Sequence, residues 1–509
     1  MKSRSFAALG ALVFVACGGG QASVPPHLDI PVPPAQTSAH AAGKQHEAPP
    51  ASLASKPSPF PAIARDKLGD GLRVAVVEAT ALPIVQIRLV TFAGMGYGSP
   101  GAAEMTGNML KEGGTRSMTS AQVLSRIEEL GASLSVDVDF DRSVLSLGVV
   151  KSHLGEALDL LAKVVSEPRF DGGELRKLKA RRTDEAREAA RGSGAWAATR
   201  IMFRELYPEQ NPYSRYDVVP SEIAKINEQT LRDFHKKFYV PENSELILTG
   251  DIDPAAAKQA AQKSFAAWKG GGAPPSVSFP AAIAPAKRRV ILASRPHSEQ
   301  SDIFVATLAP PRSAPDYPSL RVANQVLGGG VAGRLFLDVR EQRSLAYSTS
   351  SRILELAHGD EPLFAYAGTA TKKTGLAIQG VLEDIHRMAQ GPVEPSEVAT
   401  AGRYLSDIFA IRLETIGSIA DMVATQDTLA LPDGYWDKYR TAVRDVSIDQ
   451  TQAAAKKLYS GDAQLIVVAG DAAVIGKPLS HFGEVVVVDP EKEFQTVSTI
   501  PADPSAPLE

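Results

Sequence analysis

Cysteine is almost absent from this sequence: one residue, Cys17, in 509. No intramolecular disulfide is available, so the fold must rest on its apolar cores. Aromatic residues are sparse at 6%. Charge of either sign is not in excess: 54 Lys and Arg stand against 58 Asp and Glu, net −4, which removes any electrostatic case for nucleic-acid binding. No apolar run reaches the roughly 20 residues of a membrane-spanning helix. Histidine is scarce as well, nine in all with none paired at i, i+4, so the usual way of seating zinc on one helix face is missing. What remains is a globular composition, 44% hydrophobic and 22% charged, long enough for two to four domains.

The N-terminus has its own chemistry. Lys2 and Arg4 precede an apolar or small stretch from Phe6 to Ala16, the shape of an export signal and too short to span a bilayer. It ends Phe14-Val15-Ala16-Cys17-Gly18, which resembles the processing box of bacterial lipoproteins, although Leu is preferred there at the place of Phe14. The resemblance implies acylation of Cys17 and anchoring rather than spanning. The other reading is a plain signal with an incidental cysteine. Gly18 and Gly19 do not resemble an acidic inner-membrane retention signal, so the expected location is the periplasmic face of the outer membrane. The Ala/Pro/Ser-rich stretch that follows reads as a flexible tether, its His27, His40 and His46 too scattered for a metal site.

Beyond the tether, regular elements appear. "GLRVAVVEA" and "PIVQIRLVTFAG" read as strands, Ala102–Lys111 as a helix, and "TSAQVLSRIEELGA" as a helix capped at Thr119 or Ser120 and stopped by Gly131. "SLSVDVDFDRSVLSLGVV" alternates through two strands, followed by an amphipathic helix, a long charged helix and the pair "TLRDFHKKFYV" and "SELILTGD". A Gly/Pro-rich linker at 268–287 then interrupts, and the order starts again. Tyr239 and Tyr459 precede matching strands, and Asp251 and Asp471 end them, each pair 220 residues apart. The expected fold is α+β: two homologous domains, each a mixed, mainly antiparallel sheet covered by helices. The divisions are a leader at 1–17, tether 18–60, first domain 61–267, linker 268–287, second domain 288–485 and a tail at 486–509 that begins as a possible strand, becomes polar and Pro-rich, and is assigned no chemistry.

Several landmarks in order, "GLRV", "GAAEMTGNMLKEGGTRSMTSAQVLSRIEELGASLSV", "NPYSR" at Asn211–Arg215 and "LGGGVAGRLFLDVREQRSLAYSTSS", resemble the M16 peptidases, the insulinase and mitochondrial-processing-peptidase-like family. Active members carry H-x-x-E-H on a first-domain helix, two imidazoles for zinc and a glutamate as general base. The alignment puts Glu104, Gly107 and Asn108 where His, Glu and His belong, and Glu185 at the offset of the third zinc ligand. Two carboxylates and an amide are hard ligands suited to calcium or magnesium rather than zinc, and a solvated helix face is the bland reading. No cofactor is therefore expected in this chain. The glycines of "LGGGVAG" lack the Gly-Lys-Ser/Thr ending of a phosphate loop and read as a tight turn.

The family completes its site with an Arg and a Tyr seven residues apart in a C-terminal half or a partner subunit. Arg340 and Tyr347 have that spacing, and Arg343 is a nearby decoy. A guanidinium and a phenol are donors suited to developing oxyanion charge. The structural alternative is an Arg salt-bridging its helix and a Tyr packed in a strand. A chain without the zinc motif but with this pair resembles half of an enzyme. That implies a heterodimer in which a zinc-bearing M16 homologue supplies the metal and this chain supplies Arg340 and Tyr347, acting on peptides that add as strands to a sheet edge. The rivals are a peptidase-fold scaffold lipoprotein and a metallopeptidase working through unrecognised residues.

Overall fold

Val74–Val77 and Ser244–Gly250 are buried residue after residue, the pattern of strands covered on both faces. They become neighbours inside a sheet. The computed structural model describes residues 58–509; Cys17, the leader and nearly all of the tether lie outside them.

The first half runs β1 (Ala64–Lys67), β2 (Arg73–Glu78), β3 (Ile84–Thr91), α1 (Ala102–Glu112), α2 (Ser120–Glu129), β4 (Leu134–Val138), β5 (Ser143–Val150), α3 (Leu154–Ser166), α4 (Gly172–Gly192), α5 (Gly194–Leu206), α6 (Pro220–Lys225), α7 (Glu228–Phe238), β6 (Ser244–Gly250) and α8 (Pro254–Phe265). The second runs β7 (Arg289–Ser294), β8 (Gln300–Ala309), α9 (Tyr317–Gly328), β9 (Ser348–Ile353), β10 (Glu361–Ala370), α10 (Thr374–Gln390), α11 (Pro395–Arg412), α12 (Ile416–Thr428), α13 (Tyr435–Arg444), α14 (Ile448–Tyr459), β11 (Leu465–Gly470), α15 (Ala472–Ser480), β12 (Val485–Asp489) and β13 (Gln495–Ile500).

The first sheet has the order β1-β2-β6-β3-β5-β4 and the second β13-β12-β7-β11-β8-β10-β9. Five strands correspond in order, β2-β6-β3-β5-β4 with β7-β11-β8-β10-β9. Each set has a parallel pair in the same place, β2 with β6 and β7 with β11, and is antiparallel elsewhere. This is the two-domain α+β architecture that the repeat predicted. Local signals hold too: Thr119 accepts from Gln122 N and Gln122 returns to Thr119 N, a full capping box.

Each sheet buries one face under helices of its own half. The other face is covered from across the molecule. Ala197, Ala198, Ile201 and Met202 of α5 sit in the core that includes Ile291, Phe304 and Val467 of the second sheet. In return, Ile419, Ala420, Val423 and Ala424 of α12 pack with Ala75, Val90 and Ile247 of the first. Both helices use the spacing i, i+1, i+4, i+5, a narrow apolar stripe that fits a flat sheet. Each fully buried Ile, Val or Met contributes about 1.5–3 kcal/mol.

Two features depart from the local reading. The exchanged helices α5 and α12 go unmarked in it. The tail begins as the strand its sequence allows, β12, but its polar continuation is also a strand, β13, and the antiparallel pair extends the second sheet beside β7. Among the described residues, no helix is long and apolar enough to cross a membrane.

Candidate functional site

Helix α1 begins after Gly101, whose φ of 76° is left-handed. Its buried Met105, Met109 and Leu110 hold it in the first core, leaving Glu104, Gly107 and Asn108 at the i, i+3, i+4 spacing of one flank. All three positions are committed. Asn108 Nδ2 donates to the Glu104 carbonyl at 2.8 Å. A Cβ on Gly107 would stand 2.8 Å from Val136 Cγ1 and 3.3 Å from Val138 Cγ2, so β4 fills the space a glutamate would need. Glu104 reaches Arg182 of α4 at 2.9 Å.

Arg182 is the centre of this cluster. Its guanidinium also meets Glu185 at 2.7 Å and Asp217 at 3.2 Å. Asp217 is held at a left-handed φ of 57°; its Oδ1 accepts from Val218 N at 2.6 Å and its Oδ2 from Trp196 Nε1 at 2.5 Å. Burial pushes the Glu104 carboxyl above its ordinary value, Arg182 opposes, and Asp217 and Glu185 add to the rise. Burial would lower the Arg182 guanidinium, but Glu104, Glu185 and Asp217 together raise it. The cluster is thus a cation with three carboxylates arranged around it.

These residues do not fit zinc. No imidazole is present, the base position carries no side chain, and the carboxylates are tied to a guanidinium. Among the described residues, no group of three or more His, Cys, Asp or Glu side chains is placed to hold a metal. Glu104 and Glu185 meet at Arg182, which together with Asp217 the sequence does not single out. Arg182 had a faint signal, one turn before Glu185; Asp217, on a loop, had none.

The second-half pair sits in a different setting. Gly328 lets the end of α9 press on β9: a Cβ there would lie 2.7 Å from Ser351 N. The chain then turns through a π-helical segment, Phe336–Gln342, a local form found often at functional sites. Arg340 projects from it with its guanidinium 4.5 Å from the Phe336 ring centroid and 3.5 Å from Glu341, 41% exposed. Arg343 is pinned by Asp338 at 3.0 Å and Glu383 at 2.6 Å. Tyr347 is 48% exposed and donates one long bond, 3.4 Å, to the Thr369 carbonyl. Burial, then Asp302, raises its phenol, so it stays a donor at neutral pH.

Tyr347 leads directly into β9, and Ser348, Thr349 and Ser350 line a cleft of about 710 Å³ between the halves. Phe140, Phe203 and Tyr216 form its first-half wall and Phe304, Phe364 and Tyr366 its second. Nearby, Tyr213 Oη donates to Asp141 Oδ1 at 2.5 Å and the Ala357 N–H donates to Asp141 Oδ2 at 2.9 Å, linking the halves. Burial pushes Asp141 up to about 6, against the pull of those bonds. The strands β4 and β9 are the sheet edges on this side of the fold, and each sends residues to the cleft.

Residues 74–197 match the family model described as insulinase (peptidase family M16), and residues 225–405 match the one described as the peptidase M16 inactive domain. This chain has the M16 peptidase fold. A crystal structure titled as a peptidase M16 inactive domain from Pseudomonas fluorescens is 25% identical, with a TM-score of 0.74 over 80% of this chain and 98% of that one. A Helicobacter pylori protease structure gives the same TM-score at 16% identity, a likeness of fold alone. Among curated relatives, an uncharacterised zinc protease of Mycobacterium leprae is 24% identical over 418 residues, 78% of this chain and 89% of its own. Another, from Bacillus subtilis, is 20% identical over 359 residues, 70% and 85%. Within this M16 fold, two of the residues aligned with the family's zinc ligands, Glu104 and Glu185, are both paired with Arg182.

Proposed function

We propose that this chain is the non-catalytic subunit of a heterodimeric M16-type zinc peptidase, anchored through Cys17 in the periplasm and paired with a homologue that carries H-x-x-E-H. The carrying observation is a contrast: Glu104 and Glu185 are tied to Arg182 and Gly107 offers no side chain, while Arg340 and Tyr347 remain half-exposed and lightly tied.

In this role the partner holds the zinc, and this chain brings two hydrogen-bond donors. The Arg340 guanidinium, stacked on Phe336, presents N–H groups without a strong competing carboxylate. The Tyr347 phenol presents one O–H and would exchange its long bond to Thr369 O for a substrate oxygen. Donors placed where negative charge develops stabilise a transition state more than a ground state. An extended peptide would add along a sheet edge bordering the cleft.

The test is reconstitution with the zinc-motif homologue. Arg340→Ala or Tyr347→Phe should each lower kcat of the complex about 10²-fold, the cost of one oxyanion donor, while size-exclusion chromatography shows unchanged assembly. Full activity in both variants would end this reading.

A further inference from the structure

The glycine-rich turn after α9, the edge strand β9 and helix α11 enclose a hollow of about 610 Å³. A second hollow of about 380 Å³, between α11, α12 and α13, shares Arg321, Glu355 and Arg412 with it. Four arginines border the joined space: Arg312, Arg321, Arg352 and Arg412. The acidic groups facing it are Glu355 and Asp421, and both are engaged. Glu355 pairs with Arg312 and accepts from Tyr317 Oη at 3.2 Å. Asp421 pairs with Arg88 at 2.9 Å.

The arginines differ in how they are satisfied. Arg312 is enclosed by the rings of Tyr317, Tyr435, Trp436 and Tyr439 at 5.0–5.6 Å, and its Nε donates to Tyr435 Oη at 3.0 Å. Arg321 is satisfied only in part: Glu355 favours its charge, but its Nε is buried and without a hydrogen bond. Arg352 and Arg412 are exposed at the rim and form no ion pair with a described residue. A buried N–H without a hydrogen bond is costly, and like charges around one space add to that cost. A bound anion removes both penalties.

Geometry also says how the anion arrives. Ser350, Arg352, Leu354 and Glu355 line both this hollow and the inter-half cleft, so a segment lying along β9 touches both. We propose that the hollow is an anion site that takes a carboxylate of an extended peptide running along β9, with Arg321 at its floor and Arg352 and Arg412 at its rim. The identity of the ligand as a peptide rests on the function proposed above; the anion site does not. The carboxylate is either an acidic side chain or the peptide C-terminus.

The experiment is fluorescence anisotropy on the purified chain without its partner, using labelled peptides of one length and backbone. One is neutral and amidated, one neutral with a free C-terminus, one amidated with two glutamates, one amidated with two lysines. At least one carboxylate peptide should bind roughly tenfold more tightly than the neutral amide, the scale of one charge-assisted pair, and the lysine peptide should bind worst. A gain confined to the free acid assigns the C-terminus, and a gain confined to the glutamates assigns a side chain. The double variant Arg352→Gln/Arg412→Gln, at exposed positions that the fold does not need, should erase most of that preference. Equal binding of all four peptides, no binding of any, or a preference that survives the double variant would overturn the proposal. None of these outcomes touches the pairing with a zinc-bearing subunit, which is read from assembly and kcat.

Discussion

At Arg182 one side chain does for α1, α4 and the Asp217 loop what a metal does elsewhere: it gathers carboxylates. Removing it leaves Glu104, Glu185 and Asp217 facing one another without their shared cation, Glu104 with no other ion pair among the described residues and Glu185 with only Arg181 at 3.8 Å. Arg182→Gln should cost about 2 kcal/mol, the range of hydrogen bonds to charged groups, read as a lower urea midpoint. A loss below about 0.5 kcal/mol would show the cluster to be no more than surface pairing. Gly107 makes the companion case. Ala there gains about 1 kcal/mol of helix propensity but must displace Val136, at a cost of about 1–3 kcal/mol, so a net loss is expected. Gly107→Glu, the formal restoration of the base, should lower Tm and confer no hydrolysis. The sequence makes the missing histidines plain, because absence of a motif is a local fact. It hides their replacement, because Arg182 lies in a charged helix where an arginine ordinarily points to water.

At the scale of elements, α12 is held on the first sheet by its apolar stripe and by one ionic knot. Arg65 of β1 meets Asp427 of α12 at 2.9 Å, Glu245 of β6 at 3.4 Å and Asp433 at 3.0 Å. Burial, with Asp427 beside it, raises Glu245 well above the ordinary 4.5, against Arg73 and Arg65. The folded chain therefore keeps a proton that the unfolded chain releases, and this group's share of stability falls as pH rises above about 4.5. Glu361 acts with the same sign: burial, then Glu355, pushes it up to about 8. Glu245→Gln should flatten the decline of stability between pH 5 and 8, followed by thermal unfolding in a pH series; an unchanged slope would contradict the assignment. Arg65→Gln should speed amide exchange across 416–428 and leave α10 untouched. This is also where sequence reading stopped. Strands that alternate and helices with caps, such as Thr119 with Gln122, were legible from short windows. The swap of α5 and α12 between halves was not, since both are short stripes of small and apolar residues whose partner strands lie about a hundred or more residues away. The β13 strand escaped for the opposite reason: it is an exposed outer strand in which Gln495, Thr496, Ser498 and Thr499 leave no apolar alternation to read.

For the molecule as a whole, the exchange means that neither half covers its own sheet. Calorimetry should show one unfolding transition, and two separate transitions would mean that the reciprocal helices add little. The same joining fixes the cleft, with Ser348–Ser350, which follow Tyr347, on one wall and Tyr216, close to Asp217 and Glu104 of the Arg182 cluster, on the other. The repeat at Tyr239/Tyr459 and Asp251/Asp471 revealed this duplication, since those residues close corresponding helices and strands in both halves. The account stands on this chain being half of an enzyme, and the most direct measurement is its recovery, tagged and in mild detergent, from the cells that make it, with mass spectrometry of what accompanies it. A near-stoichiometric M16 homologue bearing H-x-x-E-H is the predicted result. Recovery of the chain alone, or only with unrelated envelope proteins, would contradict the account and leave a peptidase fold used for binding.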